Sequence, residues 1–385
     1  MLWQHYVFRR GPDVHTTWEL MFEHRPIRLL YIAGGGFDVR AQIVMKELVG
    51  NISDSHHTIQ DATLVLVDFT GYDLTGDLRV QTEKNNEALG NIFKTIGSST
   101  KVSLDSSRAD DDISASNALR LGANKILSHI DGQTDIVLDV SSLPRVVYLA
   151  LLTGILNKLI TEREAPNALV GGGVNFQVLV AEDAALDADI RSEDPSNDLI
   201  LIPGYSGALH AESYQDWPLV WFPILCENKL SQLQKVLELA IPPNAEICPV
   251  LPHPSRDPRR ADRLVLEYRE ALIDARRTPT ANILFAHESN PFEAYRQLLK
   301  AMKRYQASMD IMGGCRLVVT PLASKLITLG VGLACFEMKP FDMTTQYGVA
   351  IPYAEPTRYT VPVDRLNSSR PEISTLVLTG EAYCH

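Results

Sequence analysis

Two short stretches carry residues whose types and spacing suit phosphate chemistry. DVSSLPR, residues 139–145, follows the apolar run DIVL; PLASK, residues 321–325, follows RLVVT and leads into LITLGVGLACFE. Each sets hydroxyls and a cation where an apolar strand gives way to a helix. The free N–H groups at a helix start carry partial positive charge and bind anions. Pro144 suits a first helical turn, and Ser141 or Ser142 is expected to cap it. Capping does not explain Arg145, a cation at the positive end of a helix. It calls for an anionic partner, either Asp139 or a ligand phosphate. In PLASK, Ser324 and Lys325 repeat the hydroxyl and the cation without the glycines of a P-loop.

Other strand ends add further candidates. AGGGFDVR, residues 33–40, offers Gly34, Gly35 and Gly36 for a tight turn or a close backbone approach, with Asp38 and Arg40 opening the next helix. It is not the dinucleotide fingerprint, because Val39 stands three beyond Gly36. Asp68 ends the second strand, where an acid either holds a ribose hydroxyl or caps a turn. In the second half, His253, Arg256, His287, Glu288 and Asn290 follow strands and are expected to share one cleft. Asp139, His253, His287 and Glu288 are the acid/base candidates for catalysis. The histidines and Glu288 come from different loops without i, i+4 spacing, so no metal site is expected. Tyr353, Glu355, Arg358 and Tyr359 suit stacking on a base or another planar group.

The elements that must position these residues follow from hydropathy. Short β-branched runs alternate with longer stretches of helical period, the pattern of parallel sheets covered by helices on both faces. Strands are predicted at 27–32, 63–69, 101–104, 135–140 and 176–181, with helices at 40–50, 83–94, 114–130 and 146–161. The second half repeats the arrangement, with strands at 220–226, 246–251, 282–286, 316–320 and 348–353. Its helices are predicted at 230–239, 259–275, 291–306 and 325–337. The fold class is α/β: two tandem Rossmann-like units with mainly parallel sheets and helices on both faces. The expected domains are 1–197 and 198–385, joined through the polar stretch 187–197 and the Gly/Tyr-rich segment 203–213. Whether the halves arose by duplication is left open, as is whether they share one sheet.

Composition narrows the function. The chain has 385 residues, 45% apolar and 22% charged, with a formal net charge of -11. That balance argues against broad nucleic-acid binding, which needs Lys and Arg along the phosphates. The five cysteines are an odd, widely spaced set without a CxxC pair, as reduced thiols would be. The first residues carry charges where a signal peptide needs an apolar stretch, and no run reaches the roughly 18 apolar residues of a membrane span. A cytoplasmic protein without a membrane partner is expected.

Asp139, Ser141 and Arg145, spaced Asp-x-Ser-x-x-x-Arg after the fourth strand, resemble the acid/hydroxyl/cation motif of CRISPR-associated Rossmann-fold (CARF) domains and the related duplicated SAVED sensors. The resemblance implies a nucleotide-binding ligand sensor for a cyclic-oligonucleotide second messenger in bacterial antiphage defence. It implies that Ser141, Ser142 and Arg145 face the messenger's phosphates. It covers the first half directly and the second by analogy, since 321–325 lacks the acid. Nearly the whole chain is used by the two units, so a stand-alone sensor, or a subunit acting on a separately encoded effector, is implied, and a homo-oligomer is expected. Two alternatives stand beside this reading. One is a nucleotide- or sugar-phosphate-processing enzyme with an interdomain active site, Arg145 and Lys325 holding phosphate. The other is an S-adenosylmethionine-dependent methyltransferase, with the 34–36 turn around the methionine part and Asp68 on the ribose. No nucleophile elbow is present, because Ala208 stands where its second glycine belongs. The sequence names no cofactor.

Overall fold

The computed structural model describes residues 1–23, 25–54, 58–105, 115–210, 216–339 and 348–384. Along the chain the elements are β1 (Val7–Arg10), α1 (Asp13–Phe22), β2 (Ile27–Gly35), α2 (Arg40–Asp54), β3 (Ile59–Thr70), α3 (Gly76–Phe93), β4 (Ser98–Asp105), α4 (Ala115–Leu127), β5 (Asp135–Asp139), α5 (Arg145–Leu159), β6 (Asn175–Glu182), α6 (Ala184–Asp189) and β7 (Arg191–Pro195). They continue with β8 (Ile200–Leu201), α7 (Gly207–His210), β9 (Leu219–Ile224), α8 (Leu230–Ala240), β10 (Glu246–Ile247), β11 (Val250–Pro252), α9 (Arg260–Tyr268), β12 (Leu284–Ala286), α10 (Pro291–Met309), β13 (Arg316–Pro321), α11 (Lys325–Met338), β14 (Val349–Ala350), β15 (Pro352–Tyr353), β16 (Pro356–Thr360), α12 (Val363–Asn367) and β17 (Glu372–Thr379).

The chain forms two compact units, one of residues 2–193 with 357–385 and one of 194–356 with Met1. Each unit has its own main sheet, and β15 pairs with β8 and β16 with β7 in two small two-stranded sheets. The segment 357–385, placed by sequence in the second domain, instead returns to the first unit. There β17 pairs antiparallel with β6 on one side and with β1 on the other. Ser114 and residues 211–213 lie outside the described residues.

The first sheet runs β1-β17-β6-β5-β2-β3-β4. Its five parallel strands, numbered by their place in the chain, stand in the order 3-2-1-4-5. The main sheet of the second unit runs β12-β11-β9-β13-β14, with β10 also paired to β9. It has the same 3-2-1-4-5 order, and in each sheet the strand order therefore reverses between the first and fourth strands, which pair in parallel. In open parallel sheets that crevice, beyond the carboxyl ends, is where ligands bind.

Burial explains why these segments form these elements. All five residues of β5, DIVLD, are buried, as a central strand covered on both faces requires. The helices after the fourth strands, α5 and α11, are buried almost all round, so apolar residues occupy nearly every position. On one face of the first sheet, Val14, Trp18 and Phe22 of α1 pack with Val44, Met45 and Leu48 of α2 over Leu29, Tyr31 and Val137.

Local departures from the predicted elements have physical causes. The strand expected at 246–251 is interrupted before Pro249, which has no N–H to donate, and resumes as β11. The helix expected at 259–275 ends its α portion at Tyr268 and continues as a wider π turn over Arg269–Asp274.

Candidate functional site

In the first unit the crevice lies between the carboxyl ends of β2 and β5. Gly34, at the end of β2, touches the turn that follows β5. The Ser142 hydroxyl donates to the Gly34 carbonyl at 2.9 Å. A Cβ on Gly34 would stand 2.8 Å from Ser142 Oγ and 2.9 Å from the Ser142 carbonyl. Gly35 has less space than a side chain needs, since a Cβ there would stand 3.0 Å from Asn86 Oδ1. The glycines therefore serve close approach: backbone meets backbone at the base of the crevice. Asn85 of α3 secures the turn from below, its amide donating to the Gly36 carbonyl at 2.6 Å and to the Asp38 carbonyl at 3.1 Å. Sequence reasoning passed over Asn85 and Asn86. Two amides on a helix face carry no motif, and only their contact with the glycine turn marks them.

Within 139–145 the predicted roles separate. Asp139 has no exposed surface, and its carboxylate accepts from the Tyr31 hydroxyl at 3.0 Å and from the Ser141 N–H at 2.9 Å. Burial, then the charge of Asp139, holds the Tyr31 hydroxyl far above its ordinary pKa. Asp139 thus faces the core and fixes the turn. Ser141 is also fully buried, and its hydroxyl oxygen accepts from the Ala181 N–H of β6 at 2.9 Å. The expectation that Ser141 or Ser142 caps the following helix is corrected. These hydroxyls bond to the neighbouring strands, and α5 begins after Pro144 without a side-chain cap. Arg145 is the first residue of α5 and is partly exposed.

Asp38 and Arg40 form a closed pair in place of an open anion site. Arg40 Nη2 meets Asp38 Oδ2 at 2.7 Å, and Nη1 meets Asp187 of α6 at 2.7 Å. Only 2% of Arg40 is exposed. Burial works against its charge, but the two carboxylates outweigh burial and raise its pKa. Asp68 is likewise engaged, with Lys101 of β4 at 2.8 Å.

In the second unit, Ser324 caps α11, accepting from the Ile327 N–H at 3.5 Å, and Lys325 is the first helical residue. Arg145 and Lys325 therefore open the helix after the fourth strand of their respective sheets. The loops after β11 and β12 are stitched together: Glu288 N–H donates to the Pro254 carbonyl at 3.1 Å, and Arg256 N–H to Glu288 Oε2 at 3.0 Å. Arg260, absent from the sequence candidates, pairs with both oxygens of Glu227 at 2.7 Å and reaches Glu288 at 3.4 Å. Burial pushes the adjoining Cys226 thiol up to about 11, with Glu227 adding to the effect. His287 Nδ1 accepts from Ser289 N–H at 3.2 Å, and Asn290 caps α10. His253 is exposed, with its ring edge-on to Phe285. Among the described residues, no group of three or more His, Cys, Asp or Glu is placed to hold a metal. Also among them, no helix is long and apolar enough to cross a membrane.

Asp139 lies in one unit, while His253, His287 and Glu288 lie in the other. The planar-group candidates divide in the same way: Tyr353 and Glu355 belong to the unit of 194–356, and Arg358 and Tyr359 to the first unit.

The fold and crevice define a protein with two α/β units of doubly wound topology. No family model matches the chain, and no curated protein does. Among solved structures it is similar to a 2.2 Å crystal structure described as a UDP-N-acetylglucosamine 2-epimerase from Listeria monocytogenes. The two share 12% identity over 77% of this chain and 74% of that one, with a TM-score of 0.22. The reading of the site therefore rests on its own geometry.

Proposed function

We propose that the first unit binds the phosphate of a nucleotide-type ligand where the 34–36 turn meets the start of α5, and that the protein senses this ligand. The observation that carries the reading is the Ser142–Gly34 hydrogen bond. It holds the 142–145 segment over the glycine turn, beside the start of α5, whose N-cap residue Pro144 makes no side-chain cap. Backbone N–H groups and a cation at such a start are an anion site. Lys325 at the corresponding position of the second sheet supports the same chemistry there.

Sensing is favoured over catalysis because the carboxylate of Asp139 is buried and engaged by Tyr31 and Ser141. A general base must instead reach the proton it removes. The resemblance of 139–145 makes a cyclic oligonucleotide of antiphage signalling the leading ligand, with a separately encoded effector and a homo-oligomeric assembly in the cytoplasm. The closed Asp68–Lys101 pair weighs against a ribose on Asp68 and so against methyl transfer.

The test is thermal stabilisation of the purified protein by mononucleotides, cyclic di- and oligonucleotides, S-adenosylmethionine and sugar nucleotides. A ligand at 100 times its Kd stabilises by about 2.7 kcal/mol. A shift with cyclic oligonucleotides that Arg145→Ala abolishes supports the reading. A shift confined to S-adenosylmethionine, or none, overturns it.

A further inference from the structure

The start of α2 holds more carboxylate than its cation requires. Asp38 alone matches the charge of Arg40: the arginine Nε stands 3.0 and 3.1 Å from the two Asp38 oxygens, and Nη2 stands 2.7 Å from Oδ2. Asp38 also accepts from the Arg40 N–H at 3.1 Å. Asp187 of α6 then adds a second carboxylate, 2.7 Å from Nη1. One cation faces two anions, so the group carries excess negative charge. It lies directly after the 34–36 turn, where Asn85 ties the Gly36 and Asp38 carbonyls together. The positive end of α2 draws anions to this place, and the surplus carboxylate repels any further anion that approaches.

Asp187 is not needed to fix α6 either. Asp183 caps that helix, accepting from the Ala185 and Leu186 N–H groups, and it also accepts from the Ser369 hydroxyl at 2.8 Å and the Arg370 N–H at 3.1 Å. At the other end Asp189 pairs with Arg365 at 2.6 Å, and between them Leu186 packs with Leu78 and Leu366. Neither the charge of Arg40 nor the placing of α6 therefore accounts for Asp187. Among the described residues its carboxylate bonds to no side chain but Arg40, and it is 48% exposed where the Arg40 side chain is 3% exposed. A half-exposed ion pair contributes little net stability, so Asp187 yields to a competing anion. The buried pair with Asp38 does not, because breaking it leaves a buried charge unmatched.

We propose that Asp187 is an autoinhibitory carboxylate, which holds at Arg40 the place of an anionic group of the nucleotide and raises the concentration at which the first unit fills. The inference rests on the phosphate reading of the same crevice. A phosphate arriving at the 34–36 turn competes with Asp187 for the charge of Arg40, and the Asp187 side chain turns away into water when the site is occupied. The sign of the effect separates this role from a structural one. Loss of a residue that only supports the site weakens binding or leaves it unchanged, whereas loss of an internal competitor strengthens it.

The experiment is calorimetric titration of the full chain with adenosine 5′-monophosphate and with inorganic pyrophosphate. Wild-type protein is compared with Asp187→Asn, Asp187→Ser and Asp189→Asn. The last removes the same charge from the same helix but away from Arg40, and so controls for net charge. Both Asp187 variants are expected to bind the two probes about three-fold tighter or more, the order that release of a half-exposed ion pair supplies. Asp189→Asn is expected to bind as wild type does. Binding by wild type with affinity unchanged or lowered in both Asp187 variants overturns the autoinhibition and leaves the phosphate reading standing. An equal gain in Asp189→Asn overturns it in the same way. Failure of wild type and of both Asp187 variants to bind either probe at millimolar concentration overturns both readings.

Discussion

Ser142 and Gly34 join the fourth and first strands of the first sheet, hydroxyl to carbonyl at 2.9 Å, with no room between them for a methyl group. The crevice is therefore closed at its base by two residues 108 positions apart in the chain. Gly34→Ala is expected to force the two backbones apart and to cost about 1–3 kcal/mol, as overpacking typically does. Urea unfolding gives the loss. Ser142→Ala removes one hydrogen bond without adding bulk and is expected to cost about 0.5–1.5 kcal/mol.

The two arginines near the crevice are expected to behave in opposite ways. Arg40 is buried between Asp38 and Asp187, and Arg40→Ala leaves Asp38 buried without its cation. A loss of about 3–5 kcal/mol is expected, the cost of breaking a buried pair from one side. Arg145→Ala at the partly exposed start of α5 is expected to abolish nucleotide binding, as is Lys325→Ala. Thermal melts with and without ligand separate the cases.

Acid is expected to destabilise the second unit through Glu227. Burial disfavours its charge, but hydrogen bonds from Arg260 outweigh burial and hold its pKa below the ordinary 4.5. A carboxylate with a depressed folded-state pKa contributes stability that is complete above its unfolded value and is lost as pH falls through the folded one. The contribution is thus full at neutral pH and fades below about 4.5. The Arg260→Ala variant is expected to lose less stability than wild type on acidification through that range, measured by urea unfolding at stepped pH.

Alkali acts through the neighbouring thiol. Cys226 is raised from 9.0 to about 11, chiefly by burial. For a raised folded-state pKa, the stability is fully present below the unfolded value and is lost as pH rises through the folded one. Stability is therefore expected to decline between pH 9 and 11, with a shallower decline in Cys226→Ala. In the native protein an aromatic disulfide reagent at pH 8 is expected to label exposed Cys384 quickly, and buried Cys248, Cys315 and Cys335 only on unfolding.

Much of the α/β pattern was legible because parallel strands buried on both faces read as apolar runs, and helices between them keep their own period. Residues 135–139 and 316–321 announced themselves in this way, as did the helices that begin at Arg145 and Lys325. Other elements had signals that were passed over. Val14, Trp18 and Phe22, spaced by four, mark one face of α1. EISTLVLT, bounded by Pro371 and Gly380, has the β-branched content of a strand.

The sequence by itself determined the class of fold, most of the parallel strands with the helices between them, and the strand ends where polar residues gather. These depend on local periodicity and on residues close together in the chain. Only the tertiary structure decided that 357–385 rejoins the first unit and brings Tyr359 beside Tyr72. It also decided that Ser141 and Ser142 bond to strands β6 and β2 instead of capping α5, that Arg40 is enclosed by Asp38 and Asp187, and that Asn85 supports the glycine turn. Each of these depends on which distant backbone stands opposite a polar group. A buried donor or acceptor takes whichever partner the packing of the sheet provides.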